Sequence, residues 1–186
     1  MKRFLSIFTA LLILSGTVLT AQEQGDEYDD GYVYTANGAG DNFLKLTLGG
    51  LFPLNFGKQL YVGGVAELGY YRFLSEWLAV GGEFSATYNL SIGKKTLVML
   101  PITAGVLLQP SIGNFEFPIY INAGIGYETW QNLDYFPSFV LKASAGAYYR
   151  ISDMISFGAS TTFLMIPQAG KSGLFETAAV GIRYHF

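Results

Sequence analysis

The chain has 186 residues, 51% hydrophobic and 16% aromatic, with only 13% charged, 23 glycines and no cysteine. This composition excludes a disordered or fibrous chain, and the missing thiols exclude a disulfide framework, a thiolate zinc site, a cysteine nucleophile and lipoprotein attachment. Net charge is −3, but from Phe43 onward nine Lys/Arg stand against eight Asp/Glu, a balance that argues against nucleic-acid binding through a basic face.

Residues 1–21 carry Lys2 and Arg3, an apolar run from Phe4 to Leu14, and Leu19-Thr20-Ala21 with a small residue at the end. This pattern predicts a signal peptide cleaved after Ala21, since the run is shorter than the ~20 residues a spanning helix needs. Residues 22–42 are acidic, Gly-containing and aperiodic, and predict a flexible periplasmic tail. Asp26, Glu27, Asp29 and Asp30 lack the D-x-D-x-D-G spacing of a calcium loop, so no metal or cofactor is expected.

Beyond Asn42 the hydrophobic period is two. In the last segment Ala178, Val180, Ile182, Tyr184 and Phe186 alternate with Thr177, Ala179, Gly181, Arg183 and His185. The same split recurs over 77–90, 139–150 and 155–165, and less cleanly over 43–52, 59–73, 96–109 and 115–130. Eight antiparallel strands of this length predict a closed up-and-down transmembrane β-barrel over 43–186, although Pro101, Pro110 and Pro118 interrupt the pattern.

Two turns look alike in sequence, Tyr70-Tyr71-Arg72-Phe73-Leu74-Ser75-Glu76-Trp77 and Tyr148-Tyr149-Arg150-Ile151-Ser152-Asp153-Met154-Ile155. Both place aromatics, a basic residue and a Ser-acid turn at one membrane interface. The connections 52–59, 92–95, 129–138 and 167–173 then fall on the outer side, with Lys58, Lys94, Lys95 and Lys171 near headgroups or simply in water.

The polar face distinguishes a membrane barrel from a soluble one. A soluble barrel turns Lys, Glu, Asp and Arg outward, whereas here the polar face is mostly Gly, Ala, Ser, Thr and Asn, suited to a crowded lumen. The other face is Leu, Val, Ile, Phe and Ala, with Tyr and Trp near strand ends. No run of 18 apolar residues follows residue 21, which disfavours a helical membrane protein.

The closing segment, with Ile182, Tyr184 and Phe186 on its apolar face, resembles the C-terminal strand of outer-membrane barrels. With the eight-strand count, residues 43–186 resemble the small-barrel group that includes OmpX, OmpW and the OmpA membrane domain. The resemblance implies an outer-membrane protein of a diderm bacterium, a monomer in contact with outer-membrane lipids, whose last strand is read by the barrel-assembly machinery.

Parity points Lys45, Glu67, Glu83, Glu116, Lys142 and Arg183 into the lumen. A turn centred near Ser75 sets Glu67 across from Glu83, and a hairpin centred near Phe56 brings Lys45 level with Glu67. Facing carboxylates need cations, so Lys45, with Lys142 or Arg183, is expected to neutralise them as a plug; the OmpA resemblance implies a gate as the alternative. The OmpW resemblance implies passage of small hydrophobic molecules, with Leu51, Leu107, Leu164 and Ile166 placed inward near the outer ends. Lipid-modifying barrel enzymes use an outer-rim His, whereas the one histidine here, His185, sits at the other end, so no enzyme is expected. An OmpX-like surface role would need longer loops.

Overall fold

The computed structural model describes residues 37–56, 59–93, 95–130, 133–168 and 172–186. The expected signal peptide, most of the expected tail, and Lys58, Lys94 and Lys171 lie outside these residues.

Alternating residues with β-branched and aromatic outward positions form ten β elements: β1 (Asn42–Pro53), β2 (Gly63–Ser75), β3 (Leu78–Leu90), β4 (Thr96–Leu108), β5 (Ser111–Ile112), β6 (Phe115–Glu116), β7 (Ile119–Trp130), β8 (Leu133–Ser152), β9 (Ile155–Ile166) and β10 (Gly173–His185). The long strands pair antiparallel in the order β1-β2-β3-β4-β7-β8-β9-β10, and β10 pairs back onto β1. The result is a closed eight-stranded barrel without a free edge around its girth.

The prolines do not break it. Leu108 faces Ile119, Phe117 N–H donates to Pro110 O, and Ser111 faces Glu116, all in one register, so β5 and β6 prolong the β4–β7 hairpin past Pro110 and Pro118. Each proline removes one ladder donor and interrupts the strand without shifting it.

Two boundaries and the parity of one turn differ from the sequence reading. The segment 129–138 is not a loop: β7 runs to Trp130 and β8 starts at Leu133, with Pro137 beside a ladder irregularity between Gly126 and Glu128. Residues 37–42 are not tail, because Asn42 opens β1, Gly40 N–H donates to Phe73 O and Asn37 is buried. The two similar turns also differ in parity. Tyr71 is buried against Gly81, whereas its counterpart by fold is Tyr148 against Gly158, one position earlier in the copied motif. Arg72 therefore faces out and Arg150 faces in.

The outward face is a belt of exposed Leu, Val, Ile and Phe. Exposed aromatics gather at both ends, with Tyr70, Trp77, Tyr149, Tyr184 and Phe186 at the end carrying Asn42 and Phe186 and Phe52, Tyr61, Tyr88 and Tyr135 at the far end. A surface that apolar around the whole girth needs hydrocarbon as its solvent.

Glycines let two lumen tyrosines lie flat on the neighbouring strand. A Cβ at Gly81 would stand 2.1 Å from Tyr70 O and 2.7 Å from Tyr71 Cα, and one at Gly158 2.1 Å from Ala147 O. Gly81→Ala and Gly158→Ala should each lower unfolding free energy by about 1–3 kcal/mol through overpacking. Gly64→Ala, whose nearest neighbour would be 3.9 Å away, should stay within about 0.5 kcal/mol. Urea titration of the refolded barrel in detergent checks both.

Candidate functional site

Inward parity and strand register together decide which lumen charges meet. Lys45 and Glu83 share one row with Gly69 between them. A Cβ on Gly69 would sit 3.2 Å from Glu83 Cγ and 3.5 Å from Lys45 Cε, so the bare glycine leaves the gap through which the Lys45 ammonium donates to Glu83 Oε1. The neighbouring row is Thr47, Glu67 and Ser85. Thr47 Oγ1 donates to Glu67 Oε2 at 3.0 Å, and Lys45 Nζ lies 3.6 Å from the same oxygen.

Lys142 enters from β8, on the opposite wall of the ring from β2. Its ammonium donates to Glu67 Oε1 at 2.6 Å, Glu83 Oε2 at 2.7 Å and Ser85 Oγ at 3.0 Å. Two ammoniums and two carboxylates, all buried, thus form a neutral cluster that ties opposite walls together. Charges this far from water persist only when paired and hydrogen-bonded.

The register corrects the sequence reading in detail. Glu67 faces Ser85, not Glu83, and Lys45 is level with Gly69, not Glu67. An irregularity between Phe73 and Ser75 moves the β2–β3 hairpin, and the long β1–β2 connection does not itself set register. Arg183 does not join Glu67 and Glu83.

Arg183 belongs to a second cluster at the end of the barrel where β1 begins and β10 ends. Its Nη1 donates to Gln109 Oε1 at 2.8 Å and to Glu116 Oε2 at 3.2 Å, its Nη2 to Tyr120 Oη at 2.7 Å, and its guanidinium lies 3.8 Å from the Tyr148 ring centroid. Arg150 Nη2 lies 2.6 Å from Glu116 Oε1 and donates to Asn37 Oδ1 at 2.7 Å. The sequence reading left Arg150 out, although it has the same parity as Lys142. Phe43, Tyr71 and Tyr120, with ring centroids 5.4 and 5.1 Å apart, form an aromatic layer between the two clusters.

His185 accepts from Arg150 Nη2 at Nδ1 (3.2 Å), and its Nε2 lies 3.0 Å from Ser156 Oγ.

The far end is closed by apolar packing. Leu51, Leu60, Val65, Leu97, Met99, Val140, Leu164, Ile166 and Phe175 form one cluster, with Phe56 and Trp130 against it. Leu54 N–H donates to Leu174 O and Asn55 Nδ2 to Ser172 O, prolonging the β1–β10 pairing past Pro53. Leu107, expected here, packs at the opposite end with Phe43 and Tyr71 because β4 runs toward the end where β1 begins. The void left between this cluster and the ion pairs has room for about one water molecule.

A protein-family model matches residues 23–184, and the chain belongs to that family. Neisserial surface protein A superposes with a TM-score of 0.65 at 10% identity, covering 79% of this chain and 99% of that one. The chain has the fold of the small eight-stranded outer-membrane β-barrels. Ail of Yersinia pestis (TM-score 0.55, 14% identity, 79% and 99% covered) and OprG of Pseudomonas aeruginosa (0.54, 14%, 82% and 98%) share it. Two proteins of Treponema pallidum (strain Nichols), both called "Uncharacterized protein", are 25% identical over 151 and 134 residues, 69% of this chain in each case. The matches cover 51% and 61% of those relatives, so this barrel spans about half to three-fifths of their length.

Lys142→Met removes one cation and leaves two buried carboxylates sharing Lys45. It should destabilise the barrel by about 3–5 kcal/mol. Replacing Lys45 and Lys142 by Met and Glu67 and Glu83 by Gln together should cost less than that single change. Urea unfolding of both variants in detergent tests the ordering.

Proposed function

We propose that the protein is a structural outer-membrane barrel whose lumen is plugged by side chains, without enzymatic activity. The observation that carries this reading is the Lys45–Glu67–Glu83–Lys142 cluster, which joins opposite walls at mid-barrel and is shut in by an apolar layer on one side and an aromatic layer on the other. A conduit for small hydrophobic molecules would need an apolar cavity, and among the described residues the far-end cluster fills that space with its own side chains.

A restricted channel is the second reading. It is favoured by the two-sided grip of Lys142 on Glu67 and Glu83, since exchange of those ion pairs is the one rearrangement that would open the middle layer. In either case the end where β1 begins and β10 ends faces the periplasm, the apolar belt contacts outer-membrane lipids, and Ile182, Tyr184 and Phe186, all exposed on β10 or its end, are offered to the barrel-assembly machinery.

The structural reading expects a boiled-versus-unboiled mobility shift and electrically silent planar bilayers. It also expects silence from the Glu67→Gln, Glu83→Gln double variant, because the layers on either side still close the path. Discrete openings that appear with the double variant would transfer the role to a gate.

A further inference from the structure

The cluster around Glu116, at the end of the barrel where β1 begins and β10 ends, is not balanced as the central one is. Arg150 on β8 and Arg183 on β10 both face Ser156 of β9, so the register sets two guanidinium side chains in one inward row. Among the described residues, Glu116 is the one carboxylate that pairs with either of them. Asp41, ahead of β1 at the same end, instead accepts the Gly38 N–H at 2.7 Å, and His185 brings no negative charge. Two positive charges therefore share one negative charge, and both arginine side chains are at least nine-tenths buried.

The donors are in surplus as well. Arg150 Nε and Nη1, Arg183 Nε and Gln109 Nε2 are buried without a hydrogen-bond partner among the described residues. Water satisfies N–H groups but leaves the charge uncompensated. A lysine resolves such an excess by losing its proton, whereas a guanidinium keeps its charge throughout the pH range in which proteins stay folded. A buried, permanent positive charge with idle donors calls for an anion. The neighbours limit its size. The Tyr148 ring centroid lies 3.8 Å from the Arg183 guanidinium, with those of Phe43 and Tyr120 at 5.1 and 5.7 Å, so aromatic rings already cover much of the arginine.

We propose that Arg150, Arg183 and Gln109 form a binding site for one small monovalent anion, a halide or a carboxylate no larger than formate. The anion completes the charge balance of this cluster. It does so whether the middle layer of the lumen stays shut or opens, so the site does not depend on the plug reading.

The test uses the full chain in nanodiscs of neutral phospholipid, with sodium bromide exchanged for sodium gluconate at constant ionic strength. Gluconate is too large for the site, and screening is the same throughout. The amide resonances of Gln109, Ser156 and Arg183 should move with bromide and saturate below about 0.15 M, the physiological ionic strength. Gln109→Glu supplies the missing negative charge from within, because its carboxylate keeps the contact with Arg183 Nη1 that Gln109 Oε1 makes at 2.8 Å. In that variant the bromide response should fall at least tenfold, and the urea midpoint in gluconate should be no lower than that of the native chain. The titration of the native chain stands by itself if the variant does not refold. Absence of a saturable bromide response in the native chain, or an equal response in Gln109→Glu, overturns the proposal. So does a response that appears only when anionic phospholipid is added, because the occupant is then a lipid phosphate.

Discussion

Hydrocarbon offers no hydrogen bonds, so every N–H and C=O of a membrane-spanning strand must find its partner inside the protein. Pairing of β10 with β1 meets that demand by closing the sheet on itself. Eight strands close into a ring whose interior is about as wide as the side chains that fill it. From this one constraint the rest follows: the outward residues become solvent-facing in the membrane sense, and the inward residues must pack as a core although more than half of the buried residues described are polar or charged. The barrel is inverted relative to a water-soluble protein, with its polar groups as the buried ones.

A polar core is stable only if its members satisfy one another, and here small details of register decide whether they do. Glu67 and Glu83 lie on adjacent rows, which lets one ammonium from across the barrel reach both. Had they been directly opposed, Lys45 and Lys142 would have faced a single doubly charged row. Gly69 acts in the same way, since any side chain there would occupy the line between Lys45 and Glu83. The one-residue offset between the two similar tyrosine turns has an equally large effect. It turns Arg72 toward the headgroups and Arg150 into the lumen, and so gives the terminal mouth its second guanidinium.

Alternation alone made the fold legible, because a period of two with Gly, Ser and Thr on one face and Leu, Val and Ile on the other has few solutions. It also named Lys45, Glu67, Glu83, Glu116, Lys142 and Arg183 as inward, because parity is a local property of the strand. Partners were less legible, because they depend on hairpin register, which a bulge between Phe73 and Ser75 and a long β1–β2 connection alter without a sequence signal. Thus parity alone allows Arg183 to meet Glu67 and Glu83, whereas the register takes it to Glu116. Leu107 lies at the other mouth for a simpler reason: β4 runs toward the end where β1 begins. The prolines looked like the weakest part of the eight-strand count, yet Pro110 and Pro118 face in-register partners and cost the ladder only their own missing donors.

The order of layers along the barrel axis bears on how such a core behaves under stress. Ion pairs in the middle are insulated on one side by aliphatic packing, which excludes water, and on the other by Phe43, Tyr71 and Tyr120. Water entering from either end would weaken the pairs by raising the local dielectric, so the apolar layers preserve the strength of the contacts they enclose. The pairs in turn fix the spacing of opposite walls, which keeps the apolar layers tight. The two kinds of contact therefore support each other. Loss of one layer should loosen the next before the backbone ring itself opens, because the ring has no edge at which to begin unzipping.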